Sequence, residues 1–248
     1  MALADYRTAL VTGATSGIGR AAALALAERG LTVHAAARRA DRLEDLCGAD
    51  GIVAHTVDLR DTDAIYAAFS NLEVDILINN AGVARGFAGI VNSAPEDLDA
   101  TLDTNVTAVY HLLRAVLPGM TTRRRGHVVN IGSVAGLYPI ASAVYGGSKG
   151  AVHLLSSNLR IELRGTGVRV TEICPGRVST EIFEHAFDDP ETVARVKNTG
   201  ISELRPQDVT DAILFALDAP AHVNISTLEI VPTEQTFGGM ALAPLDRT

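Results

Sequence analysis

The 248-residue sequence has no tryptophan, two cysteines and 4% aromatic residues, and each scarcity narrows what the chain can be. Cys47 and Cys174 lie far apart, and neither has a second cysteine or a histidine at metal-ligand spacing. Neither a disulfide framework nor a zinc site is expected, and both are read as buried thiols in a reducing, cytoplasmic setting. The seven histidines are scattered, which also argues against a metal. Every apolar stretch is broken by charge, Gly or Pro well short of the roughly 18 residues a spanning helix needs, so no membrane segment is expected. Asp5 stands before any apolar run, unlike a signal peptide. Basic charge is in deficit, with 21 Lys plus Arg against 29 Asp plus Glu and a net charge of -8, so nucleic acid and acidic membranes are not expected partners.

What is present is an alternation of short β-branched runs with longer helical patterns. The runs predict strands over residues 8–12, 32–36, 52–57, 74–78, 127–131, 169–173 and 226–231. Between them the periodicity predicts helices over 17–29, 41–47, 62–70, 95–121, 143–163 and 206–217. Near-continuous apolar strands such as 74–78 imply a parallel sheet covered on both faces. The predicted fold is therefore α/β: a doubly wound Rossmann-type sheet of about seven strands in one domain spanning 1–248. Residues 176–204, with weak periodicity, many charges and Pro190, read as a mobile lid over the substrate. The run Arg123-Arg124-Arg125 reads as solvated cations at a helix C-terminus.

The first strand runs into Gly13-Ala-Thr-Ser-Gly17-Ile-Gly19 at the start of a helix. Gly13 allows a tight turn, Gly17 lets backbone amides approach a pyrophosphate, and Gly19 permits close packing of helix on strand. The fourth strand ends in Asn79-Asn80-Ala81-Gly82, at the carboxyl edge where open α/β sheets bind ligands. Asp58, ending the third strand, is placed to accept from an adenine amino group. Ser133 follows the fifth strand, and Tyr145 and Lys149, four apart, share one helical face. An ammonium beside a phenol favours the phenolate, which makes Tyr145 a usable acid/base, while Ser133 orients an alcohol or carbonyl oxygen and Lys149 reaches a cofactor ribose.

Together with Asn105 and Pro175-Gly-Arg-Val-Ser-Thr180, these motifs resemble the short-chain dehydrogenase/reductase family over nearly the whole chain. The resemblance implies a catalytic set of Asn105, Ser133, Tyr145 and Lys149, with Asn105 kinking its helix and holding a water that links Lys149 to solvent. It implies cofactor contacts from Gly13, Thr15, Ser16, Gly17, Ile18 and Gly19, from Asp58, Leu59, Asn80, Ala81 and Gly82, and from Pro175, Gly176, Val178 and Thr180. Val178 and Thr180 would meet the nicotinamide carboxamide. NAD-preferring members end the second strand with an acid; here that place reads Ala37-Arg38-Arg39. Arg38 and Arg39 offer charge-assisted bonds to a 2'-phosphate, so NADP is the expected cofactor. Many NADP-preferring relatives also carry a base just before the second glycine, where this chain has Ser16.

The C-terminal stretch 220–235 and the segment 114–120 resemble the subgroup of bacterial NADP-dependent 3-hydroxy acid (serine-type) dehydrogenases and small-aldehyde reductases. The substrate expected on that ground is a short 3-hydroxy acid or a small, possibly anionic aldehyde, with Arg85 or Arg177 as the anchoring cation. A ketone reductase for a bulkier secondary metabolite is the alternative, and a non-catalytic NADP-binding sensor is a rival that the intact Ser-Tyr-Lys set argues against. The long helices over 95–121 and 143–163 carry more apolar positions than one sheet contact uses, and in the family they form the subunit interface, so a homotetramer is expected.

Overall fold

The computed structural model describes residues 2–87, 89–236 and 242–244. The chain alternates β1 (Thr8–Thr12), α1 (Gly17–Ala27), β2 (Thr32–Ala37), α2 (Ala40–Leu46), β3 (Ile52–Thr56), α3 (Thr62–Phe69) and β4 (Ile76–Asn79). It continues through α4 (Pro95–Leu102), a π-helical turn (Asp103–Thr107), α5 (Ala108–Arg123), β5 (Gly126–Ile131), α6 (Val134–Leu137) and α7 (Ala143–Glu162). Last come β6 (Val168–Pro175), α8 (Pro190–Lys197), α9 (Pro206–Leu217) and β7 (Thr227–Ile230). All seven strands pair in parallel in the order β3-β2-β1-β4-β5-β6-β7.

Strand alternation divides the aliphatic residues between two cores. Val11, Val33, Ile78 and Val129 point to one side, where they meet Leu26 of α1 and Ile213 of α9. Leu10, Leu77 and Val128 point to the other, against Phe69 of α3, Leu112 of α5 and Leu159 of α7. With both faces covered, the strand order reverses between β1 and β4, and the carboxyl ends of those two strands open a crevice there. The Thr12 hydroxyl fastens this point: it donates to the Ile78 carbonyl at 3.2 Å and accepts from the Asn80 and Ala81 amides at 3.0 and 3.1 Å.

Four expectations need correction. The helix read over 95–121 is interrupted at Asp103–Thr107, where the backbone widens into a π turn. The segment 176–204 is not without structure: a 3₁₀ turn (Glu181–Phe183) and α8, capped by Asp189, lie within it. Its two ends meet at a Val178–Leu204 bridge. The arginine run is not simply solvated. Arg125 pairs with the buried Asp75 at 2.8 Å, Arg123 donates to the Val74 carbonyl at 2.8 Å, and Arg124 ends α5 in the left-handed conformation. Finally, Cys47 is exposed because it closes the short surface helix α2, whereas Cys174 is buried.

Candidate active site

The glycine turn after β1 is built for close approach. Gly13 and Gly17 hold φ of +64° and +50°, which side chains rarely tolerate. Gly19 lies beneath the turn: a Cβ there would stand 2.4 Å from both Gly13 O and Asn80 Nδ2. Its role is therefore helix-on-strand packing, and unlike Gly13, Thr15, Ser16, Gly17 and Ile18 it does not line the cleft. A Cβ on Gly17 would come within 3.0 Å of the Thr180 methyl, so the turn and the start of the 176–204 segment face each other across a narrow waist. The cleft encloses about 390 Å³. Arg38, Asp58, Leu59, Asn80, Ala81, Gly82, Pro175, Gly176, Val178 and Thr180 all line it.

At one end stand the residues suited to proton transfer. Ser133 caps α6, its Oγ accepting from the Ala135 amide at 3.1 Å, which leaves its hydrogen free to donate. Ser142 caps α7 in the same way, accepting from the Tyr145 amide at 3.3 Å. Tyr145 and Lys149 then project from the first turns of α7, and Gly136 lets α6 press against the Lys149 backbone, where a Cβ would clash at 2.6 Å. The Lys149 Nζ donates to the Ile131 carbonyl at 2.8 Å and lies 6.0 Å from the centre of the Tyr145 ring. Burial lowers its pKa to about 8, against the opposing pull of Cys174 and Glu172.

The phenol departs from the expectation. Burial raises the Tyr145 pKa, and the group that pulls it back is the Ser133 hydroxyl rather than Lys149. The reason is geometric: the ammonium is turned toward the β5 carbonyl and not onto the phenol oxygen. Asn105 sits in the π turn, fully buried behind the cleft wall. Its Oδ1 accepts from the Val83 amide and its Nδ2 donates to the Val83 carbonyl, both at 2.9 Å, and Nδ2 reaches Ser148 Oγ at 3.0 Å. A Cβ on Gly82 would lie 3.3 Å from Asn105 Oδ1 and 3.7 Å from Lys149 Nζ, so both side chains close on the same glycine.

At the other end the two arginines part company. Arg38 is exposed and, among the described residues, makes no side-chain hydrogen bond or ion pair. Arg39, by contrast, donates to Thr15 Oγ1 at 3.2 Å and to Glu181 at 3.3 Å. Glu181 also receives Arg42 on both oxygens, at 2.8 and 2.9 Å. Neither Glu181 nor Arg42 figures in the sequence reading, although Arg42 falls one helical turn beyond Arg38 and Glu181 directly follows Thr180. The Asp58 carboxylate is engaged by Arg60 at 2.6 Å, which holds its pKa below the usual range.

The expected substrate anchors are both neutralised. Arg85 binds Asp97 at 2.7 Å and Asp188 at 2.9 Å, strapping α4 to the 176–204 segment, and it does not line the cleft. Arg177 is buried against Glu203 at 2.8 Å and stacks on Phe183 at 4.3 Å. What faces Tyr145 instead is aromatic: Phe87 lies 5.8 Å from its ring, with Phe187 and Phe183 5.5 and 6.3 Å from Phe87. One turn beyond Lys149, His153 Nδ1 meets the buried Glu172 at 2.7 Å. His153, Glu172 and Cys174 bring ligand atoms within 4.8 Å of one another, a grouping that sequence spacing does not disclose because it joins α7 to β6.

Comparison with known proteins identifies the family. The model of the short chain dehydrogenase family matches residues 7–191. A short-chain type dehydrogenase/reductase of Sinorhizobium fredii is 40% identical over 243 residues, covering 98% of each chain. The NADP-dependent 3-hydroxy acid dehydrogenase YdfG of Escherichia coli is 40% identical over 242 residues, covering 93% of this chain and 97% of that protein. Among solved structures, the closed form of a serine dehydrogenase complexed with NADP+ superimposes with a TM-score of 0.89 at 38% identity, over 96% of this chain and all of that one. The seven-stranded parallel sheet is that of these oxidoreductases, and the chain belongs to the short-chain dehydrogenase family.

Proposed function

We propose that the protein moves a hydride between the nicotinamide of NADP and a small alcohol/carbonyl pair, as one dinucleotide-binding and catalytic unit. The observation that carries this reading is the convergence of Ser133, Tyr145 and Lys149 at one end of a cleft whose other end carries the unpaired Arg38. The glycine turn and Thr180 fit a pyrophosphate and carboxamide at the waist, Asn80 to Gly82 fit the adenosine side, and Arg38 fits a 2'-phosphate. NADP, when bound, supplies or accepts the hydride. In reduction the Ser133 hydroxyl donates to the carbonyl oxygen, and Tyr145, held protonated by burial, gives that oxygen its proton. The Lys149 ammonium, 6.0 Å from the ring centre, is the cation placed to stabilise the phenolate so formed, and Asn105 fixes the loop against which Lys149 rests.

Relatives named as 3-hydroxy acid dehydrogenases support a short hydroxy acid as the substrate. A specific observation favours the second reading, a bulkier neutral ketone or aldehyde: Arg85 and Arg177 are consumed by carboxylates, and Phe87 and Phe183 wall the space beside Tyr145. Among the described residues a desolvated carboxylate there would lack a free cation, whereas an apolar group would gain contact with the rings. NADPH consumption over a panel of 3-oxo acids, small aldehydes and aryl ketones decides between them. Tyr145→Phe should lower turnover at least about 100-fold while NADPH binding persists; unimpaired turnover would remove Tyr145 from the chemistry.

Exposed Leu102, Tyr110, Leu154 and Ile161 on α4, α5 and α7 support a homotetramer, which light scattering at micromolar concentration tests. The unpaired Cys47 and Cys174 agree with a cytoplasmic setting.

A further inference from the structure

Three segments distant in sequence meet at the far end of the cleft through one carboxylate. Glu181 opens the 3₁₀ turn that begins the lid, one residue beyond Thr180. Both of its oxygens accept from Arg42 on the first turn of α2, and one also accepts from Arg39, the residue that precedes that helix. Arg39 in turn reaches Thr15 of the glycine turn. Arg38, Arg39 and Glu181 share the cleft wall. Carboxylate and phosphate oxygens are interchangeable partners for a guanidinium fork, so whatever binds Glu181 here also suits a phosphate.

We propose that Glu181 is a specificity-determining residue: an internal anion that occupies Arg39 and Arg42 and so opposes recognition of the cofactor 2'-phosphate, while strapping the lid to the adenosine end of the cleft. This rests on the reading of Arg38 as the 2'-phosphate contact. The side chains of Arg39, Arg42 and Glu181 are 35%, 40% and 34% exposed, so the ion pairs are solvated enough to exchange partners and dry enough to be felt. Two guanidiniums bind the one carboxylate, which also has His185 3.8 Å away, and Arg38 shares the same wall, so the site stays cationic while Glu181 subtracts from its pull on an incoming dianion. The strap also has mechanical reach. Two residues beyond Glu181, Phe183 lies against Phe87, which lies against Tyr145.

The test uses ligands that share an adenosine and differ in the phosphate: 2',5'-ADP and 5'-AMP, titrated calorimetrically into the wild-type protein and Glu181→Gln. Removing the carboxylate charge should tighten 2',5'-ADP by about 3- to 10-fold and leave 5'-AMP within about twofold, since only the former presents a 2'-phosphate to these arginines. Glu181→Ala should agree, and in both variants amide exchange over 181–187 should quicken in the absence of ligand. Arg42→Gln should act in the opposite sense on 2',5'-ADP. Equal shifts for both ligands, or no change for 2',5'-ADP, would overturn the role of Glu181 while leaving the NADP reading intact. If the wild-type protein binds 2',5'-ADP no better than 5'-AMP, the NADP reading itself fails, and this inference with it.

Discussion

Replacing Lys149 by Met should separate stability from function in a pH-dependent way. Lys149 is 6% exposed, and burial brings its pKa from 10.5 down to about 8. A lysine so depressed favours the neutral form in the folded protein, so between pH 8 and 10.5 the unfolded chain binds the extra proton. Folding stability attributable to this group therefore rises as pH climbs from 8 to 10.5, and below pH 8 the charged lysine costs the fold its full share. A fall from 10.5 to about 8 corresponds to about 3 kcal/mol, which for a chain of this length is about 6 to 12 °C in Tm. Methionine matches the stem and carries no charge, but it leaves the Ile131 carbonyl without its 2.8 Å donor, an opposing cost of about 1 to 3 kcal/mol. The absolute change at pH 7 is thus a small difference. Its pH dependence is not, because the carbonyl does not titrate. Urea unfolding of both proteins from pH 7 to pH 10.5 should show the wild type gaining on Lys149→Met by about 3 kcal/mol, with catalysis abolished in the variant throughout. A stability difference that stays flat over that interval would refute the claim that Lys149 is held against its desolvation for the sake of the reaction.

Two further perturbations probe the cofactor end. Arg38→Leu combined with Ala37→Asp should reduce the NADPH-over-NADH ratio of kcat/KM by about 10- to 100-fold, since a charge-assisted hydrogen bond contributes about 1.5 to 3 kcal/mol and the new carboxylate repels a phosphate; an unchanged ratio would return Arg38 to the solvated surface. Gly19→Ala places a methyl 2.4 Å from both Gly13 O and Asn80 Nδ2, so the turn must shift. Thermal melting and NADPH titration should show loss of both stability and binding, and a variant that binds normally would exclude the packing role.

Much of this site is legible in the sequence because its parts are local. The glycine turn, the Asn80 strand end, Ser133 just after the fifth strand and the Tyr145–Lys149 pair each depend on spacing within about ten residues, and β-branched runs bounded by Gly, Pro or Asn mark the strands, whereas the short helix that Ser133 caps is not foreseen. The π turn at Asp103–Thr107 falls where the resemblance implies a kink at Asn105, but periodicity misses it because one extra residue per turn leaves the surrounding helical composition intact. Helix α8 escapes for another reason: its eight residues carry only two valines, Val193 and Val196, and bury none fully, too few apolar positions for a periodic pattern to register.

The remaining disagreements share one cause, which is that a side chain's charge is settled by partners the chain brings from elsewhere. Arg39 and Arg42 lie 142 and 139 residues from Glu181, Arg85 lies 103 from Asp188, and Arg177 lies 26 from Glu203. Spacing identifies Arg39, Arg85 and Arg177 as cations near the cleft, yet each pairs with a carboxylate of the 176–204 segment, and so does Arg42, which spacing does not single out. The same logic governs Tyr145. An i, i+4 relation puts Lys149 on its helical face, but whether the ammonium acts on the phenol depends on where Nζ finds an acceptor, and here the β5 carbonyl at Ile131 takes it. Burial therefore favours the protonated acid, which suits donation to a carbonyl, whereas accepting a proton from an alcohol works against that burial.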